Sequence, residues 1–247
     1  MPKIKTERDE FVMYEAELQT MLRQLEGHRT IEGFYVTHIT TINEETGLEE
    51  KQQTVQRFKI DCRQTECLLA LLWIFGRRIM EILMLKRKNV RVEGDSLVVQ
   101  CRTLKRRKDK RELYEKSITL THPYVQYITD YIQRIKDPER YVFQGRSKPR
   151  KFVSRARLPK TGEMKTYQYE RKEHGFMSPQ KAWKTIKFLD PFAYCHLFRH
   201  TLATTIARKG YNEDQLMSWF DWSTSQVAHE YVSRGKKMVE DLSTRTW

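Results

Sequence analysis

The amino-acid sequence predicts an α+β fold that is mainly helical, with a small antiparallel sheet near its middle. Three observations predict it. Apolar residues recur at helical spacing towards both ends of the chain and through the long stretch from Gln64 to Lys86. Three short segments rich in β-branched residues lie between Val90 and Leu120, separated by turn-forming or strongly charged residues. The chain is 247 residues long and 39% hydrophobic, enough for a sizeable core that needs no disulfides.

Each element has its own justification. From Asp9 to Leu25, residues Phe11, Tyr14, Leu18, Leu22 and Leu25 share one helical face, and Gly27 ends it. Phe34 to Ile42 and Thr54 to Ile60 are β-branched and aromatic, and the turn-like run from Asn43 to Gly47 between them predicts a hairpin. Gln64 to Lys86 is a long apolar helical stretch broken near Gly76. Val90–Val92, Ser96–Arg102 and Leu113–Leu120 read as the small sheet, with Gly94-Asp95 as one turn and the basic run Lys105–Lys110 as the other. Pro123 to Ile135 is an amphipathic helix. Arg146 to Lys172 shows little periodicity and reads as a basic loop. Helices are expected again at about 179–188, 198–209, 212–219 and 224–233. The expected organisation is a helix and hairpin in 1–60, part of or appended to a domain at 61–234 with a basic loop insertion at 144–175, then a charged tail at 235–247. No internal repeat is visible.

Charge narrows the function classes. The net charge is +14 and the pI about 9.6, which points to a polyanionic partner, nucleic acid before membrane. Residues 1–60 are net −3, whereas Arg102–Lys116 is net +5 and Gln144–Gly175 net +7. The basic side chains expected on DNA are therefore Arg106, Arg107, Lys108, Lys110, Arg146, Lys148, Arg150, Lys151, Arg155 and Arg157. The longest apolar run, Cys67–Phe75, is nine residues, where a membrane span needs about 20. The N-terminus shows no apolar signal-peptide region. The four cysteines, Cys62, Cys67, Cys101 and Cys195, make no CxxC pair or zinc-like cluster. They read as reduced thiols of a cytoplasmic, DNA-associated protein.

The informative segment runs from Cys195 to Arg234. It opens with His196-Leu-Phe-Arg199-His200 ahead of an amphipathic helix. If that helix begins near Leu197, His196 and Arg199 can share one anion at its N-terminus, where free N–H groups and the dipole favour phosphate. By itself the motif is equally a set of helix-capping histidines. Gly210 ends this helix, Trp222 follows Arg199 by 23 residues, and Tyr231 follows Trp222 by nine. The 36 residues from His196 to Tyr231 resemble, without a gap, the closing helices of the tyrosine recombinase (phage integrase) family, which read roughly H-x-L-R-H-S-F-A-T-x-L…G…L-G-H…T-T…Y. An upstream stretch, Leu71 to Leu85, is similar to that family's apolar helix followed by G-x-R-x-x-E-[IL]-x-x-L.

The resemblance implies a tyrosine recombinase-like catalytic domain and assigns roles. Arg78 and Arg199 are the catalytic arginines, Glu81 supports the site, and Tyr231 is the nucleophile, with His196, Trp222 and the supporting His200 around it. Arg77 reads as a solvent-facing neighbour. The catalytic lysine belongs to the hairpin turn, where Lys105 best fits T-K-x-x-x-x-R and Lys108 and Lys110 compete. These residue types suit the chemistry. Two arginine forks neutralise the charge that develops on non-bridging phosphate oxygens, and a phenol of pKa about 10 needs help to lose its proton, which His196 is placed to give. A lysine can return a proton to the departing 5′-oxygen. No carboxylate cluster suggests a metal pair, so neither a metal nor another cofactor is expected.

The chain departs from the family pattern in three places. Asp221-Trp222 replaces the usual Gly-His. Only about 60 net-acidic residues precede the matched region, where a separate DNA-binding domain is usual. The basic stretch at 144–175 is long. The expectation is a recombinase or integrase acting on double-stranded DNA, as a homotetramer that exchanges its C-terminal tails. A type IB topoisomerase-like enzyme and a catalytically inactive DNA-binding module are the alternatives.

Overall fold

A single buried helix, α2 (Cys62–Phe75), organises the chain: twelve of its fourteen residues are buried, because its sequence is apolar almost all the way round. The computed structural model describes residues 12–42, 49–104, 113–145, 150–157, 162, 164–171 and 175–233. Asp61 starts α2 by accepting a hydrogen bond from the Gln64 N–H at 2.9 Å. Gly76 ends it in the left-handed conformation, φ 54° and ψ 28°. Against α2 pack α4 (Val125–Ile132) and α6 (Cys195–Arg208). The N-terminal helix α1 (Glu15–Arg23) adds Leu18, Met21 and Leu22 to the same core. It begins at Glu15 rather than Asp9: Val12 to Tyr14 are not helical, and the Met13 N–H donates to Thr201 Oγ1 at 2.8 Å.

The first hairpin pairs β1 (Thr30–Ile42) with β2 (Glu49–Asp61), from Thr30 opposite Asp61 to Ile42 opposite Glu49. Both strands are longer than their apolar content suggests. The hairpin lies on α5 (Pro179–Leu189), with Phe34 edge-on to Phe188 and the Lys184 ammonium 3.6 Å from the Tyr35 ring centre. The expected sheet forms from β3 (Val90–Glu93), β4 (Ser96–Arg102) and β5 (Leu113–Thr119), in the order β3-β4-β5 and antiparallel throughout.

The stretch read as a basic loop is corrected. Arg150–Arg157 (β6) pairs antiparallel with Met164–Arg171 (β7), with Arg150 opposite Arg171 and Arg157 opposite Met164. A two-stranded ribbon is held by backbone hydrogen bonds and need not bury an alternating face. Its Lys- and Arg-rich strands therefore leave little period-2 hydrophobic signal.

The C-terminal helices follow the expected order. Ser178 caps α5 by accepting from the Lys181 N–H, and Pro179 occupies the first turn. Helix α6 begins at Cys195, slightly earlier than expected, and α7 spans Glu213–Phe220. Asn212 and Gln215 cap α7 reciprocally at 2.9 Å. A last helix, α8, covers 225–233. The residues buried by α7 and α8, together with Ala203 and Ala207 of α6, form a second cluster distinct from the main core: Leu216, Phe220, Ala228 and Tyr231. Among the described residues no helix is long and apolar enough to cross a membrane.

Between α2 and the next helix, α3 (Ile79–Leu83), lies the point where the two clusters meet. A Cβ at Gly76 would come within 2.9 Å of both Leu202 Cδ2 and Phe220 Cε1, at a backbone conformation L-residues avoid. Gly76→Ala is therefore expected to destabilise the protein by about 1–3 kcal/mol. Urea unfolding with an unchanged m-value would measure it.

Candidate active site

Four elements converge here: the α2–α3 turn, the first turns of α6, the end of α7, and α8. The α2–α3 turn carries Arg77 and Arg78. Arg78 starts α3, and Glu81, one turn on, reaches back to it. Glu81 Oε1 accepts from Arg78 Nη1 at 3.0 Å and Oε2 from the Arg78 N–H at 3.3 Å. Glu81 is buried, and its carboxylate fixes the first arginine's orientation.

Because α6 starts at Cys195, His196, Arg199 and His200 fall on one face, three and four residues apart. Arg199 is 3% exposed. Its Nη1 donates to the Gly76 carbonyl at 3.0 Å and its Nη2 to the Phe220 carbonyl at 2.7 Å. These are carbonyls at the ends of α2 and α7, where the helix dipoles are negative. Two helix C-termini thus hold one guanidinium. Burial first, and then the nearby Arg78, push its pKa down to about 9, which leaves it protonated at neutral pH.

Helix α7 ends at Asp221, in the left-handed region at φ 54°. It is the one non-glycine residue with positive φ among those described. The family pattern has glycine there, and aspartate is among the few side chains that tolerate the conformation. This corner turns the chain so that Phe220, Trp222 and Tyr231 stack. Phe220 and Trp222 have centroids 4.8 Å apart, and Trp222 and Tyr231 lie 5.3 Å apart at an interplanar angle of 8°. The Arg199 guanidinium lies 4.9 Å from the Phe220 ring centre and 5.5 Å from that of Trp222. Tyr231 is 7% exposed, and its hydroxyl shares a hydrogen bond with His200 Nδ1. His196 stands edge-on to His200, 4.9 Å between centroids. Its pKa is lowered by desolvation, then by Arg199 and Arg78.

The structure thus brings together Arg78, Glu81, His196, Arg199, His200, Trp222 and Tyr231. It differs from the sequence reading in which histidine meets the phenol: His200 does, while His196 lies on the side of the arginines. Arg77 is also corrected. It is 2% exposed rather than solvent-facing, because Tyr114 covers its guanidinium at 5.5 Å. Phe220, which the sequence reading passed over, carries the stack and accepts from Arg199. Its signal was its position just before the Asp221-Trp222 corner. Lys105, Arg106, Arg107, Lys108, Lys110, Arg146 and Lys148 lie outside the described residues, as does the tail at 235–247. For Arg150, Lys151, Arg155 and Arg157 the description covers the backbone, which runs along β6. Among the described residues no three His, Cys, Asp or Glu side chains are grouped to hold a metal ion.

With that geometry in place, the comparisons with known proteins identify the class. The chain belongs to the phage integrase family, whose profile matches residues 45–238. No curated protein sequence matches it. Among solved structures, it is similar to the XerA recombinase, with a TM-score of 0.56 and 11% identity, covering 100% of this chain and 68% of that one. It is also similar to the XerH site-specific recombinase bound to a palindromic difH substrate in a post-cleavage complex, with a TM-score of 0.56 and 11% identity, covering 96% of this chain and 53% of that one. The chain therefore spans about half the length of the XerH chain. At such identity these likenesses show the fold, that of a tyrosine recombinase catalytic domain.

Proposed function

We propose that this chain is the catalytic part of a site-specific DNA recombinase or integrase that cuts and rejoins strands through a 3′-phosphotyrosyl link. The observation that carries the reading is the Tyr231 hydroxyl bonded to His200 and stacked on Trp222 beside the buried Arg199, in a chain of this family.

The residues divide the work as follows. The Tyr231 oxygen attacks the scissile phosphorus, and the bond from phosphorus to the 5′-oxygen breaks. Arg78 and Arg199 hold the non-bridging oxygens. An arginine has five N–H donors, and the two carbonyls take two of those on Arg199, so three remain for phosphate. The Trp222 indole N–H is a further donor to phosphate. The phenol proton goes to the histidine pair, in which His200 is at the hydroxyl and the neutral His196 is beside it. Lys105, with Lys108 and Lys110 as competitors, returns a proton to the leaving 5′-oxygen. The phosphotyrosyl link conserves the energy of the diester, so rejoining needs no ATP, and no metal or cofactor is invoked. The partner is double-stranded DNA, held by the basic residues of the β4–β5 turn and of the β6–β7 ribbon. Assembly is as a homotetramer, with residues 235–247 exchanged between subunits.

The lowered pKa of His196 sets a pH expectation. A depressed pKa keeps the imidazole neutral, and able to accept a proton, to lower pH than an ordinary histidine. The rate of covalent complex formation should stay level through neutrality and fall only below pH 6.5. An acid limb centred at or above that value would separate the rate from His196 and leave His200, at the hydroxyl, as the group whose protonation stops the reaction.

The function itself is tested by incubating supercoiled plasmid carrying two copies of the flanking DNA with the protein and quenching with SDS. Protein-linked nicks and rearranged plasmids support a recombinase. Relaxation without rearrangement would instead indicate a topoisomerase. Binding without cleavage, on a mapped site and with a longer form of the protein, would leave a DNA-binding module.

A further inference from the structure

Arg77 carries a charge in a place that does not obviously suit one. It is 2% exposed, and its Nη2 is fully buried with no hydrogen-bond partner among the described residues. Burying an uncompensated guanidinium is costly, so its surroundings should show what offsets it. One contribution is the end of α2, one residue away, whose carbonyl dipoles favour a cation. A second is the ring of Tyr114, 5.5 Å beneath the guanidinium.

Tyr114 connects Arg77 to the rest of the reaction. It is the second residue of β5, and it pairs across the sheet with Cys101 of β4. Cys101 and Thr103 are both buried at the root of the hairpin. Past that root the chain runs directly into residues 105–112, which hold Lys105, Lys108 and Lys110. On its other side Arg77 is flanked in the chain by Gly76, which accepts from Arg199, and by Arg78. One side chain therefore joins the arginine-bearing turn to the two strands that flank residues 105–112 in the chain. Lys116, on the same face of β5 as Tyr114, donates to the Ser218 carbonyl of α7 at 3.3 Å, so the strand is fastened at a second point towards the nucleophile's corner.

We propose that Arg77 is a positioning residue that seats the root of the β4–β5 hairpin against the arginine turn, and so sets the reach of the hairpin lysine to the leaving 5′-oxygen. This rests on the reaction proposed above, in which a hairpin lysine is the general acid.

The test separates proton donation from every other step. Duplexes bearing a mapped cleavage site are prepared with the natural diester and with sulfur in place of the bridging 5′-oxygen. A thiolate, whose conjugate thiol has a pKa of about 8.5, departs without a proton from the enzyme. Arg77→Met, which keeps length and apolar contact, should cleave the natural diester about 10- to 100-fold more slowly and the sulfur-bridged duplex at the wild-type rate. Tyr114→Leu should behave in the same way, and Tyr114→Phe, which keeps the ring, should cleave both normally. Lys105→Met, measured alongside, tests the identity of the acid separately. Rescue of Arg77→Met without rescue of Lys105→Met upholds the inference and moves the acid to Lys108 or Lys110. Rescue of Lys105→Met alone overturns the inference and leaves the reaction intact. If Arg77→Met is slow on both substrates at an unchanged melting temperature, Arg77 acts on the phosphate or the nucleophile. If it is slow on neither, Arg77 has no role. Either result overturns the proposal, and if Arg77→Met does not fold, the two Tyr114 variants decide.

Discussion

Tyr231→Phe is expected to abolish covalent attachment to DNA while leaving DNA affinity and fold close to wild type. The substitution removes one oxygen. The ring keeps its parallel stack on Trp222 at 5.3 Å and its place in the α7–α8 cluster. The structural loss includes the hydrogen bond to His200, a net contribution of about 1 kcal/mol. What is lost chemically is the proposed nucleophile, and loss of a nucleophile in other covalent mechanisms costs roughly a million-fold in rate. The check is an SDS-resistant adduct on end-labelled DNA, read beside a gel-shift titration of the same proteins. Adduct formation by the variant at more than a trace would move the nucleophile to another residue.

The second large effect is expected at Arg199, where stability and catalysis should fall together but in different proportions for two substitutions. Arg199→Ala leaves the Gly76 and Phe220 carbonyls without their donor in a buried site, at about 1–3 kcal/mol each, and removes a proposed phosphate ligand. Arg199→Lys keeps the charge, but an ammonium cannot span two carbonyls and a phosphate as a planar fork does. The lysine variant should therefore stay folded at room temperature yet cleave about 10²–10³-fold more slowly. Thermal melts and single-turnover cleavage on the same preparations measure the two effects. Cleavage within tenfold of wild type in a folded Arg199→Lys protein would make this arginine a strut between two helix ends rather than a ligand for phosphate.

Much of this site was legible because it is local. His196, Arg199 and His200 depend on helical spacing alone, and Glu81 lies one turn from Arg78. The order of α6, α7 and α8 followed from apolar periodicity and from Gly210. Contacts set by the angle between helices were not legible in that way. Which histidine meets Tyr231 depends on how the Asp221 corner aims α8, and no spacing rule contains that angle. Arg77 misled for a related reason. A charged residue beside a turn reads as exposed, and the groups that make its burial tolerable include the end of a helix and a tyrosine 37 positions away in the sequence. The β6–β7 ribbon was missed because the period-2 signal records burial, whereas strand pairing itself is made by the backbone.

The division of the interior into two clusters has a consequence for where the molecule opens first. The helix bearing Tyr231 draws its burial from Ala203, Ala207, Leu216, Phe220, Ala228 and Tyr231 itself, while α2 is enclosed by the far larger cluster. Opening free energy scales with the contacts broken. The amides of α7 and α8 should therefore exchange with solvent through partial openings that leave the amides of α2 protected. Tyr231, the proposed nucleophile, sits on the smaller of the two clusters, so it should be released or re-seated while the arginine-bearing frame stays folded.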